Sequence, residues 1–171
     1  MEPHLFPQLA RAAVEEFVSN GTALPQPNPL PPIMQRRAAS FVSIHLTDGS
    51  LRGCIGSVQP LEANLAREII RNAIAACSRD PRFIPVRPDE LARLDYSVDV
   101  LSAPEPIASE RELDPMRYGV IVESGWRRGL LLPALAGVDS AEAQVAIALE
   151  KAGIGPREPF TLQRFAVERY H

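Results

Sequence analysis

One tetrapeptide, Thr47-Asp48-Gly49-Ser50, interrupts a long strand-forming stretch from Phe41 to Val58, and it limits the fold more than any other feature. Asp-Gly between alternating apolar residues is a strong hairpin signal, because a type I′ turn needs φ > 0 at both central positions. A two-residue turn at Asp48-Gly49 sets Thr47 opposite Ser50, Leu46 opposite Leu51 and His45 opposite Arg52. Ile44 then faces Gly53, Ser43 faces Cys54 and Val42 faces Ile55. Side chains alternate along a strand, so Val42, Ile44, Leu46, Leu51 and Ile55 share an apolar face that belongs on the core. Ser43, His45, Arg52 and Cys54 collect on the other face. A single bulge would scramble this separation.

The rest of the chain supplies helices and further strands. Leu5, Leu9, Ala12, Ala13 and Phe17 mark an amphipathic helix that ends at Asn20-Gly21. A second helix is expected from about Leu61 to Ser78, with a buried stripe of Leu65, Ile69, Ala73 and Cys77; Pro88 opens a short third one. Tyr96, Val98 and Val100 alternate with Ser97 and Asp99 as in a half-buried strand, and two apolar runs around Ser124-Gly125 predict a second hairpin. Asp139 with Glu142 predicts a capping box for a helix through Lys151, stopped at Gly153, and Phe160 to Val167 a last strand. Hairpins and separate helices without a βαβ rhythm indicate an α+β fold around an antiparallel sheet flanked by helices.

Composition narrows the function classes. A net charge of −3, with arginine pairs only at 36–37 and 127–128, provides no basic stripe for nucleic acid or an anionic membrane. No apolar run approaches the ~20 residues of a bilayer span, and the N-terminus lacks the order of a signal peptide, so a cytoplasmic location is expected. The two cysteines, Cys54 and Cys77, are then expected as reduced thiols outside any CxxC pair. Prolines number 17 of 171 and cluster between elements, above all at positions 25 to 32, as stiff connectors. His45 is the sole histidine away from the termini, which counts against a histidine-built metal site, and the sequence does not name a cofactor.

The hexapeptide Leu51-Arg52-Gly53-Cys54-Ile55-Gly56 carries the best candidate site. Two residues apart on one strand, Arg52 and Cys54 project ~6–7 Å apart, where a guanidinium favours thiolate over thiol. His45 sits diagonal to Cys54 at the ~7–8 Å of such neighbours, from which a rotamer change would bring its imidazole close enough to act as a base. Gly53 and Gly56 leave room for another backbone or a ligand. Against this stands the ordinary reading of a strand cysteine as inert packing and of surface His and Arg as solvated. Asp80 and Arg82 flank Pro81; they either supply charge at a cleft mouth, Arg82 clamping a carboxylate or phosphate, or pair with each other and the loop amides. Asp99 could share the Cys54 surface, and Trp126 is expected to pack on its own hairpin.

The run Phe41-Val-Ser-Ile-His-Leu-Thr-Asp-Gly-Ser50 followed by Leu-Arg-Gly-Cys-Ile-Gly resembles the signature of the AMMECR domain family, called AmmeMemoRadiSam system protein A in bacteria and archaea. Asp80-Pro81-Arg82-Phe83, Val98 to Ser102, Tyr118 to Ile121, Leu130 to Pro133 and Lys151-Ala152-Gly153 continue the resemblance in order. It implies a single domain over 1–171 with two lobes: a larger one holding both chain ends and a smaller one from the middle of the chain, expected within about 60–115. No agreed reaction comes with the family. The resemblance implies association with a Memo-like protein, related to metal-dependent dioxygenases, and a radical SAM protein.

Two functions follow. In the first, the chain is an enzyme or enzyme component in which Cys54 is nucleophile or redox thiol, tuned by Arg52 and His45. Ser43, Gly53, Gly56, Asp80 and Arg82 then bind a small-molecule or protein substrate. In the second, it is a non-catalytic ligand-binding or adaptor module docking onto a metalloenzyme partner.

Overall fold

The computed structural model describes residues 4–171. Helix α1 (Leu5–Asn20) stops where Gly21, at φ 71°, turns its N–H back to the Phe17 carbonyl. A one-turn helix α2 (Pro32–Gln35) interrupts the proline-rich connector before the hairpin strands β1 (Ala39–Leu46) and β2 (Leu51–Gly56). Helix α3 (Leu65–Ser78) follows, then a 3₁₀ turn at Pro88–Arg93 and strand β3 (Leu94–Leu101). Strands β4 (Glu105–Ile107), β5 (Tyr118–Ser124) and β6 (Arg127–Leu131), helix α4 (Ala141–Ala152) and strand β7 (Thr161–Tyr170) complete the chain. All strand pairings described below are antiparallel, so the α+β class read from the sequence is the one observed.

Two boundaries differ from expectation for physical reasons. Helix α3 begins at Leu65, capped by Asn64, whose side chain accepts the Arg67 N–H at 3.0 Å. The residues before it are held as loop because the fully buried Glu68 carboxylate accepts the N–H groups of Leu61 and Glu62, both at 2.8 Å, and the Ser57 hydroxyl at 3.0 Å. Helix α4 is capped by Ser140, which accepts the Ala143 N–H at 3.1 Å, not by Asp139.

The chain forms two compact units, one holding the described residues to Leu101 with Glu168–His171, the other Ser102–Val167. The larger therefore takes in both the N-terminal elements and the C-terminus, while the smaller comes from the middle. Residues 65–101, inside the range of about 60–115 expected for the smaller lobe, pack instead in the larger unit. There the sheet runs β2-β1-β3, with α1 and α3 packed on it. Its core includes Phe6, Val14, Val42, Ile44, Leu65, Ile69 and Val98, all fully buried. The second unit has β5 between β6 and β7, with β4 on the far side of β7. Helix α4 closes a core of Val120, Val122, Leu131, Val145, Ala148 and Leu149. Strand β7 belongs to the second unit up to Val167 and returns its last residues to the first. Trp126 does not pack on its hairpin: at the β5–β6 tip it is 91% exposed.

Candidate functional site

The first hairpin closes through a three-residue loop. The Gly49 N–H reaches the Leu46 carbonyl and the Leu46 N–H the Ser50 carbonyl, both at 2.8 Å. Gly49 alone in the loop has positive φ, at 85°. This is a turn followed by a left-handed glycine, not the two-residue type I′ turn expected from Asp48-Gly49. The slip this introduces is undone higher in the strand. His45 pairs with Leu51, but Ile44 pairs with Gly53, leaving Arg52 as the extra residue of a β-bulge. Beyond it Ser43↔Cys54 and Val42↔Ile55 stand in the expected register.

The bulge overturns two assignments within the hexapeptide, those of Leu51 and Arg52. Leu51 is not a core anchor; it is 37% exposed. Arg52 is buried, and its Nε and Nη2 bind Glu90 at 2.8 and 3.1 Å while Nη1 donates to the Ile84 carbonyl at 3.0 Å. The guanidinium that acts on the Cys54 thiol is that of Arg82. Gly53 and Gly56 make room for the protein's own atoms. A Cβ on Gly53 would sit 2.2 Å from the Ala76 carbonyl oxygen of α3, and one on Gly56 2.4 Å from the Phe41 ring and the Ser40 carbonyl. Backbone holds the place at Gly53, and backbone with the Phe41 ring at Gly56.

Cys54 is half-buried, and the Ser43 hydroxyl donates to its sulfur at 3.1 Å. Strand β2 pairs on one side only, which leaves the outward backbone of Cys54 without a strand partner. Asp80 and Arg82 take that place. The Asp80 carboxylate accepts the Cys54 N–H at 2.9 Å and the Arg82 guanidinium at 2.8 and 3.0 Å; Arg82 Nη2 lies 3.5 Å from the Cys54 carbonyl. Of the two readings of the Asp80-Pro81-Arg82 block, these contacts are those of mutual pairing and backbone capping. Hydrogen bonds from Arg82 hold the Asp80 carboxyl far below the usual carboxylate range despite its burial. Burial pushes the Cys54 thiol above its ordinary 9.0; the Ser43 hydrogen bond and Arg82 pull it down, and Asp99 and Asp80 push it up. Cys77, buried on α3, is pushed to about 11 by burial.

Strand register extends this surface. Ser43 pairs with Ser97, His45 with Asp95 and Phe41 with Asp99, so alternation puts all six on the face that carries Cys54. A depression of about 440 Å³ opens there, lined by Ser43, His45, Asp95, Ser97, Arg169 and His171. Arg169 grips Asp99 with two hydrogen bonds of 2.7 and 2.8 Å. Sequence reasoning missed Ser97, Arg169 and the partners Glu90 and Glu68. Only strand register could have found the first two, since neither sits in a motif. Among the described residues, no cluster of three or more His, Cys, Asp or Glu could hold a metal ion. No helix among them is long and apolar enough to cross a membrane.

Comparison with known proteins settles the lineage. The AMMECR1 family model matches residues 7–171. The chain belongs to that family. AMMECR1-family relatives include a Thermotoga maritima protein, 50% identical over 98% of this chain and 97% of its own length. A Clostridium acetobutylicum relative is 47% identical over 95% of this chain but only 35% of its own length, so there the AMMECR1-like region is part of a longer protein. An uncharacterized protein from Pyrococcus horikoshii, known from a crystal structure, superposes with a TM-score of 0.86 at 32% identity, over 96% of this chain and 88% of that one.

Proposed function

We propose that this AMMECR1-family chain is a ligand- or partner-binding component of an enzyme system, working through the sheet face that carries Cys54, Ser43, Ser97, His45 and Arg169. The observation that carries the reading is the state of the charges beside Cys54. Arg82 and Asp80 bind each other, Arg169 and Asp99 bind each other, and the thiol is raised above its ordinary pKa. The 440 Å³ depression is lined by the hydroxyls of Ser43 and Ser97, the imidazoles of His45 and His171, the Asp95 carboxylate and Arg169, and the neutral Cys54 thiol lies on the same sheet face, a set suited to holding a polar ligand or chain segment. The Clostridium relative, in which the matching region is about a third of a longer chain, supports action beside another domain. Memo-like and radical SAM proteins are the partners that the family resemblance implies.

A second reading keeps Cys54 as a nucleophile. It draws on the Ser43 hydroxyl at 3.1 Å from the sulfur and on Arg82, both of which favour thiolate. Alkylation by iodoacetamide, followed by peptide mass spectrometry with Cys77 as internal reference, separates the two. The binding reading expects Cys54 to react more slowly than an unstructured cysteine near pH 7 and to speed up as pH rises through its raised pKa. A rate above that of the unstructured thiol at neutral pH would establish the nucleophile reading instead. Partner capture gives the complementary test. Cys54→Ser should retain a co-purifying Memo-like or radical SAM protein, whereas Arg169→Glu, which puts a carboxylate against Asp99 on the binding face, should lose it.

A further inference from the structure

A second concavity shares no lining residue with the depression on the Cys54 face. Residues Ala23 to Gln26 of the proline-rich connector run alongside α3, and between them opens a groove of about 670 Å³. Arg67, Ile70, Arg71 and Ile74 recur at helical spacing and line one wall. Leu24 and Pro25 line the other, and Arg79, capping α3, closes one end. The connector is tied down, because Asn64 at the start of α3 donates to the Gln26 side-chain oxygen at 3.1 Å and Leu24 packs on the core.

The charge of this groove opposes that of the chain. Three arginines and one glutamate, Glu62, line it, in a protein of net charge −3. Glu62 meets Arg71 only at 3.8 Å, with both side chains well exposed. Among the described residues, the guanidinium groups of Arg67 and Arg79 have no hydrogen-bonded or ion-paired partner. Two free cationic forks over a wall of Ile70, Ile74 and Leu24 join a site for negative charge to a site for apolar surface.

We propose that the groove between the Ala23–Gln26 connector and α3 binds a small organic anion with an apolar body. Arg67, Arg71 and Arg79 take the anionic group, and Leu24, Ile70 and Ile74 cover the body. A phosphate or carboxylate on an aromatic or alkyl frame has the required chemistry, and a cavity of 670 Å³ admits a molecule of that class.

The test is an amide chemical-shift titration of the full chain with 1-naphthyl phosphate, run beside inorganic phosphate. Saturable shifts concentrated on residues 22–26 and 67–79 are expected. Affinity should drop roughly tenfold or more in the double variant Arg67→Gln, Arg71→Gln, and largely return in the Arg→Lys pair. Inorganic phosphate should bind at least roughly tenfold more weakly, since it leaves the apolar wall bare. Glutamine and lysine are both good helix formers, so melting temperatures should hold. The proposal is overturned if no saturable shift appears, if the two phosphates bind alike, or if the glutamine pair binds as well as the unaltered chain. Shifts gathered instead around Ser43 and Arg169 would overturn it too, and would support the Cys54 surface as the binding face.

Discussion

The β1–β2 and β5–β6 hairpins solve one packing problem and part company at their loops. In each, an Arg-Gly step sits in the outer strand: Arg52-Gly53 in β2 and Arg128-Gly129 in β6. In each, the glycine lets a helix backbone press on the strand. A Cβ on Gly53 would lie 2.2 Å from the Ala76 carbonyl oxygen of α3, and one on Gly129 2.0 Å from that of Ala148 in α4. The β5–β6 loop is the two-residue Gly125-Trp126, with Gly125 at φ 60°, and its pairs run from Ser124↔Arg127 to Val120↔Leu131 without a slip. The β1–β2 loop has three residues, and the bulge at Arg52 restores the alternation. The bulged residue is the one re-aimed. Arg52 ends buried against Glu90, while Arg128 stays at the surface, 3.4 Å from Glu123 with side chains 33% and 45% exposed.

The shared device should fail alike in both places. Gly53→Ala and Gly129→Ala each put a methyl group into a helix carbonyl, and each should destabilise the protein by about 3 kcal/mol in urea unfolding. A strong effect at one glycine and none at the other would break the parallel. The arginines should behave differently. Arg52→Met strands Glu90 and two backbone carbonyls and should cost about 2–3 kcal/mol, whereas Arg128→Met should cost less than about 0.5 kcal/mol. Equal effects would mean that the bulge has no energetic consequence.

The outer edges give the smallest contrast. Asp80 caps β2 from a buried position, and the exposed Lys151 donates to the Leu130 carbonyl of β6 at 3.0 Å. Asp80→Asn should cost about 1–2 kcal/mol at neutral pH, and Lys151→Met well under that. The Asp80 pKa is depressed by folding below its ordinary 3.8, so its contribution is complete above that value and is lost as pH falls through the folded-state pKa. The gap between wild type and Asp80→Asn should therefore narrow in acid. Hydrogen exchange should show the Cys54 amide opening faster in that variant while the amides of β6 hold.

Much of the fold was legible because local chemistry and burial agree. Gly21 and Gly153, both in the left-handed region, stop helices where the sequence places them, and Leu65, Ile69, Ala73 and Cys77 are all buried as their spacing predicts. The site was only half legible. Ser43 and Cys54 face each other as counted, yet the count succeeded because two departures cancel: a loop one residue longer and a strand bulge of one residue. Nearer the turn than the bulge nothing cancels, so Leu51 and Arg52 were misassigned. The Asp99–Arg169 pair, 70 residues apart, had no local signal at all.

The sequence by itself determined where the hairpin lies, that Val42 and Ile44 feed the core, and that Leu51–Gly56 is its second strand, since turn propensity and side-chain period are local properties. Tertiary structure decided what the hexapeptide does. Glu90 and the carbonyls of Ile84 and Pro85 satisfy the buried Arg52, and α3 needs Gly53 bare. Those partners lie 23 to 38 positions further along the chain, and their demand on the strand is met by a bulge that alternation alone does not reveal.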